Sequence, residues 1–177
     1  MIKAVLAKTQ IGVEEYLGLV FEDRPEPDYV DGEVVERALP APIHSEIQGL
    51  LILLLARLLS RERLFLLPEL RVRIEPRRFR VADLAVYRDK MPEGRFAVSP
   101  AFLIVEIVSP DDRHSELAQR LDDYRDWGVQ HIWLVDPQVR RLYEYTNTGL
   151  IQLPSLRLPE FDFEISAREI FKDFEPR

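Results

Sequence analysis

Two long apolar runs in the middle of the chain, RVADLAVY and AFLIVEIV, place the tightest constraint on its fold. Nearly continuous apolar runs of this length are typical of strands that are covered on both faces. They therefore predict the centre of a sheet with helices packed on either side. Each run contains one acidic residue, Asp83 in the first and Glu106 in the second. A charged carboxylate at such a position needs a partner, because burial disfavours its ionised form.

Four segments predict helices around this sheet. Apolar residues recur at helical spacing over residues 47–59, which predicts the longest amphipathic helix. The polar segment SPDDRHSELAQRLDDYRDW predicts another helix, with Gly128 as its C-cap. Thr9 is expected to cap a first helix that extends to about Leu19. The motif SARE at residues 166–169 predicts a capping box that starts a short last helix.

Further strands are predicted on both sides of the central runs. Leu70, Val72 and Ile74 alternate with charged residues, which indicates a strand with one buried face. DYVDGEVVER predicts a hairpin that turns at Asp31 and Gly32, a dipeptide favoured in tight turns. HIWLVD predicts another buried strand, and RRLYEY and GLIQL predict a second hairpin. The order of elements predicts an α/β fold with a central mixed β-sheet flanked by helices.

The bulk properties predict a single soluble domain over residues 1–177. The 177 residues contain no repeat, low-complexity tract or flexible linker, and 46% of them are hydrophobic. No cysteine is present, which excludes disulfides, thiolate metal sites and cysteine nucleophiles. We find no secretory signal and no apolar run of about 18 residues, so we expect a cytoplasmic protein without membrane association. The absence of a Gly-rich phosphate loop predicts no organic cofactor.

The charge distribution leaves two interpretations open. The formal net charge is −7, which opposes binding to nucleic acid as a whole-chain property. Five arginines are nevertheless concentrated in the segment RVRIEPRRFR. This segment is either a solvated hairpin with charged outer faces or a local phosphate-binding surface. In the second case the phosphate-binding residues are Arg71, Arg73, Arg78 and Arg80.

The two acidic residues of the central runs are the candidate functional residues. Asp83 and Glu106 belong to consecutive predicted strands, and consecutive strands are often neighbours in a sheet. If these strands pair, the two carboxylates converge, and a hard divalent cation would neutralise both. The alternative is that an arginine or backbone N–H groups satisfy each carboxylate separately. Neither acid alone favours the metal site, but the occurrence of both does.

The ordered set of motifs resembles a known family. An aspartate on one strand and a glutamate on the next are similar to the PD-(D/E)XK nuclease superfamily. More narrowly, the chain resembles a large bacterial family of uncharacterised proteins of restriction-endonuclease type, in which the active-site lysine is displaced. The matching pieces span roughly residues 9 to 150. They are TQIGVEEYL, YVDGEVVE, PAPIHSEIQGLL, VADLAVY, LIVEIVSPDD, LDDYRDWGVQHIWLVDP and RRLYEY.

The resemblance implies a restriction-endonuclease-like core and a set of site residues. Asp83, Glu106 and the backbone carbonyl of Ile107 would bind Mg²⁺ or Mn²⁺, which would hold the scissile phosphate and activate a water molecule. His44, at the start of the second helix, matches a recurrent family histidine; a helix-end hydrogen-bonding residue is the alternative. Two further accessory positions, for which a solvated surface carboxylate is the alternative, are Glu46 and Glu33.

The chain departs from the superfamily pattern at two positions. Ala82 stands where a proline usually precedes the aspartate, and that proline has no chemical role. Val108 stands where the lysine is expected. In the resembled family this lysine often moves to the next helix, four residues before a tyrosine, and here Arg120 precedes Tyr124 by four. Arginine can stabilise phosphate charge but cannot act as a general base. Its alternative role is an ordinary helical ion pair with Glu116.

These observations favour a metal-dependent endonuclease that hydrolyses DNA phosphodiester bonds. Two other functions stay open: a catalytically inactive binding or assembly module with the same fold, and a metal-dependent hydrolase of a small phosphoester. The missing strand lysine and the negative net charge favour the inactive module, and a hydrolase of a small phosphoester would not need a basic surface. We also expect a homodimer, because cutting both DNA strands requires a second active site.

Overall fold

The computed structural model describes residues 10–21, 25–59 and 62–172. In this part of the chain the helices are α1 (Val13–Gly18), α2 (Pro42–Leu59), α3 (His114–Trp127) and α4 (Ala167–Phe171). The first strands are β1 (Asp28–Val30), β2 (Glu33–Val35), β3 (Leu64–Glu75), β4 (Arg78–Arg88) and β5 (Leu103–Ile107). They are followed by β6 (His131–Asp136), β7 (Arg141–Thr146), β8 (Gly149–Leu153), β9 (Ser155–Leu158) and β10 (Phe163–Ser166).

Eight strands form one mixed sheet. The order across it is β2-β1-β4-β5-β6-β7-β8, and β3 pairs with the other edge of β4. The pair β5 and β6 is parallel, whereas the other pairs in this sheet are antiparallel. The parallel pair requires a crossover, which α3 provides between β5 and β6. Strands β9 and β10 form a separate two-stranded sheet. The predicted α/β class and mixed sheet are confirmed.

Strands β1 and β5 pair with different parts of the same edge of β4. β1 pairs with β4 at Arg78 and Phe79, and β5 pairs with it from Leu84 to Val86. Within the described residues, positions 80–83 of β4 therefore have no strand partner on this edge, and we call this stretch the fork. The N–H of Val81 in the fork donates to a side chain, the carboxylate of Asp28, at 2.9 Å. The fork brings side chains of β1, β4 and β5 to one place.

Hydrophobic cores cover both faces of the sheet. On one face, Ile47, Leu51 and Leu55 of α2 pack with residues of the central strands that include Leu84 and Trp133. On the other face, the buried set is Ala85, Ile104, Leu121, Tyr124 and Ile132. Apolar residues on both faces explain why the central strands have continuous rather than alternating hydrophobic sequences.

Helix α2 is long and apolar enough, by length and composition alone, to cross a membrane. Its residues Ile47, Leu51, Leu55 and Leu58 are buried against the sheet. These positions follow the helical spacing expected of a core-facing stripe. The packing of that stripe accounts for part of the apolar composition of α2, whereas Leu53 lies off the stripe and is 70% exposed.

Several local predictions are confirmed by backbone geometry. The β1–β2 turn has φ of 52° at Asp31 and 110° at Gly32. Positive φ at both central residues is typical of the tight hairpin turn that this dipeptide favours. Gly128 caps α3 in the left-handed region, with φ of 99°. Ser166 and Glu169 form both hydrogen bonds of the capping box. Each of these features depends on residues that are close in sequence, so it can be predicted without knowledge of the tertiary packing.

Other predictions need correction. Helix α1 begins at Val13 after Gly12 and ends at Gly18, and Thr9 lies outside the described residues. Strand β3 begins at Leu64, earlier than its alternating part, and it contains an irregular residue, Glu69, with φ of 48°. The first half of β3, with the sequence LFLLP, was not predicted because its apolar residues do not alternate with polar ones. Strands β9 and β10 form a second sheet that was not predicted from the sequence.

Candidate functional site

A cleft of about 400 Å³ opens at the fork. Strands β4 and β5 contribute Asp83 and Ile107, and helices α2 and α3 contribute His44 and Arg120. Arg37, from the segment between β2 and α2, also lines the cleft. The cleft thus combines a buried carboxylate with three groups that are or can become cationic.

Asp83 lies at the inner end of the cleft and is 3% exposed. Its Oδ1 accepts from Arg37 Nη2 at 2.6 Å, and its Oδ2 accepts from the Ile107 N–H at 2.8 Å. His44 Nε2 lies 3.2 Å from Oδ2. Burial raises the pKa of Asp83, but the hydrogen bond to His44, the charge of Arg37 and the Ile107 N–H together lower it below its ordinary value. Asp83 is therefore ionised at neutral pH.

Glu106 lies beside Asp83. The register pairs Leu84 of β4 with Val105 of β5, so the next antiparallel position places Glu106 opposite Asp83. Burial and the charge of Asp83 raise the pKa of Glu106 to about 7, against the opposing charges of Arg120 and Arg37. The two carboxylates are close enough to interact electrostatically.

Each of the two carboxylates also has its own arginine. Glu106 is 1% exposed, and it accepts from Arg120 Nη1 at 2.8 Å and from the Tyr124 hydroxyl at 2.9 Å. It does not line the cleft, since Arg120 and Tyr124 occupy its carboxylate oxygens. The structure thus places the two acids on adjacent strands and pairs each with its own arginine, as the alternative interpretation expected.

Arg120 belongs to the site and not to the helix surface. It is 8% exposed, and its Nε lies 3.5 Å from Asp28 in addition to the contact with Glu106. Glu116, its expected helical partner, pairs instead with Arg113 at 3.2 Å. Burial lowers the pKa of Arg120, but the charges of Glu106 and Asp28 raise it well above the ordinary arginine value. Arg120 is a permanent cation directed towards the carboxylates.

A buried ion network lies behind Arg120. Arg80 is 2% exposed, with Nη1 at 2.9 Å from Asp28 and Nε at 2.7 Å from Asp123. Asp28 is completely buried and also accepts from the Val81 N–H. The polar sequence of α3 predicts a helix-surface position for Asp123, but Asp123 is 6% exposed and paired with Arg80. This network connects β1 and β4 to α3 at the fork.

The arginine-rich segment does not form an exposed phosphate-binding surface. Arg80 is buried in the network just described, and Arg71 is 7% exposed, paired with Glu26 and placed over the ring of Tyr16. Arg78 pairs with Asp31 and Asp123, and Arg73 lies over the ring of Phe79. The prediction of a phosphate-binding patch is corrected on physical grounds, since carboxylates and aromatic rings already occupy these guanidinium groups.

Of the three accessory candidates, the structure brings one to the cleft. His44 contacts Asp83. Burial lowers the pKa of His44, but the hydrogen bond to Asp83 and the charge of Asp83 outweigh this effect, so the pKa of His44 is raised above its ordinary value. Glu46 and Glu33 are exposed and do not line the cleft. Their alternative as surface carboxylates fits this placement.

Three cleft residues that surround Asp83 were not predicted from the sequence. Arg37 binds Asp83, and Gln48 donates both to the Asp83 backbone carbonyl and to Glu69. Glu69 accepts from Arg37 at 2.7 Å. The positive φ of Glu69, a strained conformation for this residue type, is a structural signal of a constrained site. The sequence offered a weaker signal, since Gln48 lies one helical turn after His44 on the same face of α2.

The donor atoms at the fork suit a hard divalent cation with few protein ligands. Asp83 and Glu106 provide carboxylate oxygens side by side, and a carboxylate has lone pairs beyond those that its present partners use. Among the described residues, no group of three or more His, Asp or Glu side chains is arranged to hold one ion. Mg²⁺ commonly takes one or two carboxylates and completes its shell with water and substrate oxygens. The residues at the fork fit that kind of site.

Comparisons with known proteins agree with this architecture. No curated protein matches the chain. The solved structure of "a putative nuclease belonging to DUF820" from Anabaena variabilis is similar, with a TM-score of 0.79 and 20% sequence identity. The similarity covers 92% of this chain and 98% of that chain, and at this identity it shows a shared fold. A family model described as "Uma2: Putative restriction endonuclease" matches residues 13–175. Because that match spans most of its length, the chain belongs to the Uma2 family, within the restriction-endonuclease-like superfamily.

Proposed function

We propose that this protein is a Mg²⁺- or Mn²⁺-dependent endonuclease that hydrolyses DNA phosphodiester bonds. Membership of the Uma2 family and the nuclease-like fold support a nuclease. The observation that carries the metal-dependent activity is the position of Asp83 in the cleft, on strand β4, with Glu106 buried behind it on the adjacent strand β5. Two carboxylates placed together at a fork have little structural benefit, because their charges repel.

The residues of the fork divide into metal-holding and phosphate-holding groups. Asp83, Glu106 and the carbonyl of Ile107 would hold the ion. When bound, the ion supplies a Lewis acid that polarises the phosphate and lowers the pKa of water. His44 and the Ile107 N–H fix the orientation of Asp83.

Arg120 replaces the absent strand lysine as the cation for the phosphate. Its guanidinium lines the cleft and would stabilise the charge that develops on the phosphate oxygens. Its raised pKa keeps it protonated, so it takes no proton from the attacking water. Val108, at the usual lysine position, has no chemical role in this scheme.

Nicking of supercoiled plasmid DNA in Mg²⁺ or Mn²⁺ tests the proposal. We expect cleavage by the wild-type protein, background cleavage by Asp83→Asn, and unchanged or higher cleavage by Arg120→Lys. Glu46→Gln is the matched control, because Glu46 is exposed and does not line the cleft. Cleavage by Asp83→Asn at the wild-type rate would contradict the proposal. A complete loss in Arg120→Lys would contradict the role of Arg120.

A non-catalytic module with the same fold is the second candidate. It is favoured by the pairing of Asp83 with Arg37 and of Glu106 with Arg120, which neutralises both carboxylates within the protein. Calorimetric titration with Mn²⁺ distinguishes the two functions, since a module of this kind would bind no ion at Asp83. A hydrolase of small phosphoesters would bind the ion and hydrolyse a small substrate, yet leave plasmid DNA intact.

We also propose a homodimer, on the argument that two strands of DNA require two active sites. Light scattering at high protein concentration tests this assembly. A monomeric mass at all concentrations would contradict it.

A further inference from the structure

Arg37 lines the cleft but belongs neither to the proposed metal ligands nor to the proposed phosphate-binding group. It lies in the irregular segment 36–41 between β2 and α2, and its side chain is 8% exposed. Its Nη2 donates to Asp83 Oδ1 at 2.6 Å, and its Nη1 donates to Glu69 Oε2 at 2.7 Å. The Glu69 side chain is 48% exposed. One guanidinium therefore joins a buried carboxylate at the inner end of the cleft to a carboxylate near solvent.

The two arginines of the cleft are held differently. Arg120 belongs to a helix, and both of its carboxylate partners, Glu106 and Asp28, are at most 1% exposed. Arg37 belongs to a segment without regular secondary structure, and one of its two partners is half exposed. A change of side-chain position therefore disrupts less buried structure for Arg37 than for Arg120. Arg37 can leave Asp83 and still keep its bond to Glu69.

A divalent ion on Asp83 would compete with Arg37. The guanidinium nitrogen lies 2.6 Å from the carboxylate, and Mg²⁺ binds oxygen at about 2.0–2.1 Å. Both cations on one buried carboxylate would lie within a few ångströms of each other, where little water screens their repulsion. Binding of the ion therefore favours release of the arginine.

We propose that Arg37 is a positioning residue that binds Asp83 in the metal-free protein and moves towards Glu69 and the cleft opening when a divalent ion binds. This inference rests on the proposed metal-dependent function. Because the two cations compete for one carboxylate, Arg37 weakens metal binding, and metal binding weakens the Arg37–Asp83 pair by the same factor. Arg37 thereby balances the charge of Asp83 without metal and faces the substrate phosphate once metal is bound.

Calorimetric titration of MnCl₂ without DNA tests this exchange. We expect Arg37→Gln to bind Mn²⁺ about 5–150-fold more tightly than wild type, the usual range for coupled sites. Arg37→Lys keeps the charge but contacts a carboxylate at one point, so its affinity should lie between the two. Arg113→Gln is the matched control, since Arg113 is 78% exposed and pairs with Glu116. It removes the same charge and should change the affinity by about twofold at most, because exposed charges are screened.

A second readout is the thermal unfolding of each variant. Without metal, Arg37→Gln should unfold at a lower temperature than wild type, because Asp83 has lost a partner. Saturating Mn²⁺ should stabilise Arg37→Gln more than wild type. Arg37→Lys provides the same comparisons if Arg37→Gln does not fold.

The possible results separate this inference from the proposed function. Binding of Mn²⁺ by wild type, together with equal or weaker binding by Arg37→Gln, would overturn the role of Arg37 and leave the metal site intact. No binding by wild type or by any variant would overturn both.

Discussion

Replacing Arg80 by methionine tests whether the buried ion network holds the fork together. Arg80 is 2% exposed and lies between two carboxylates, Asp28 and Asp123, which are 0% and 6% exposed. Methionine has a similar length but no charge, so the variant leaves two buried carboxylates without their main partner. Breaking a buried ion pair in this way costs about 3–5 kcal/mol. The remaining contacts of Asp28, with the Val81 N–H and Arg120, favour the lower part of that range.

The expected loss is large enough to measure in two ways. In urea denaturation followed by the fluorescence of the buried Trp133, the free energy of unfolding should fall by the stated amount. Each kcal/mol lowers the melting temperature by about 2–4 °C for a domain of this size, so we expect a total decrease of about 6–20 °C. The triple variant that also replaces Asp28 and Asp123 by asparagine should recover part of the loss, since no unpaired charge is left in the core.

An exposed ion pair provides the control for this experiment. Arg157 is 64% exposed and lies 3.2 Å from Glu164, so Arg157→Met should change the free energy of unfolding by at most about 1 kcal/mol. If Arg80→Met is as stable as Arg157→Met, the network does not hold β1 and β4 to α3, and our account of the fork is wrong.

Two other predictions concern Glu106 and the last helix. The pKa of Glu106 is raised by burial and by Asp83 to about 7 in the folded protein. The folded state therefore binds more protons than the unfolded state between the ordinary glutamate pKa and that value, and stability is lost as the pH rises through this window. We therefore compare Glu106→Gln with wild type by urea denaturation in metal-free buffer, at one pH below this window and one pH above it. The stability of the variant relative to wild type should be greater at the higher pH. An equal difference in the free energy of unfolding at both pH values would contradict the raised pKa. Ser166→Ala removes the capping box of α4 and should cost about 1 kcal/mol by the same assay, and no change would show that α4 needs no cap.

The central sheet and its two acidic residues were predictable because the sequence patterns that indicate them extend over only a few neighbouring residues. Asp83 and Glu106 interrupt apolar runs, and a charge in such a run is conspicuous without any knowledge of the fold. The turn at Asp31 and Gly32 was equally predictable, since its positive φ values depend on these residues alone.

The partners of the acids were not predictable, because their contacts join distant parts of the chain. Arg37 is separated from Asp83 by 46 residues, and Arg80 is separated from Asp28 by 52. Arg37 lies in a segment without periodicity, and Asp28 belongs to a strand of three residues. Asp123 had a detectable signal, since it follows Arg120 by three positions and therefore lies on a neighbouring part of the helix. That signal was masked by the strongly polar composition of α3.

The pairing of β1 and β5 with the same edge of β4 also leaves a gap of defined length between the two strands. The paired residues that border the gap, Phe79 and Leu84, are five residue steps apart, and strands rise by about 3.3 Å per residue, which gives a separation of roughly 16–17 Å along β4. This span is determined by backbone hydrogen bonds and by no individual side chain of the lining. Substitutions in the cleft lining can therefore change the charges that a substrate meets there without changing this separation or the pairing of the sheet.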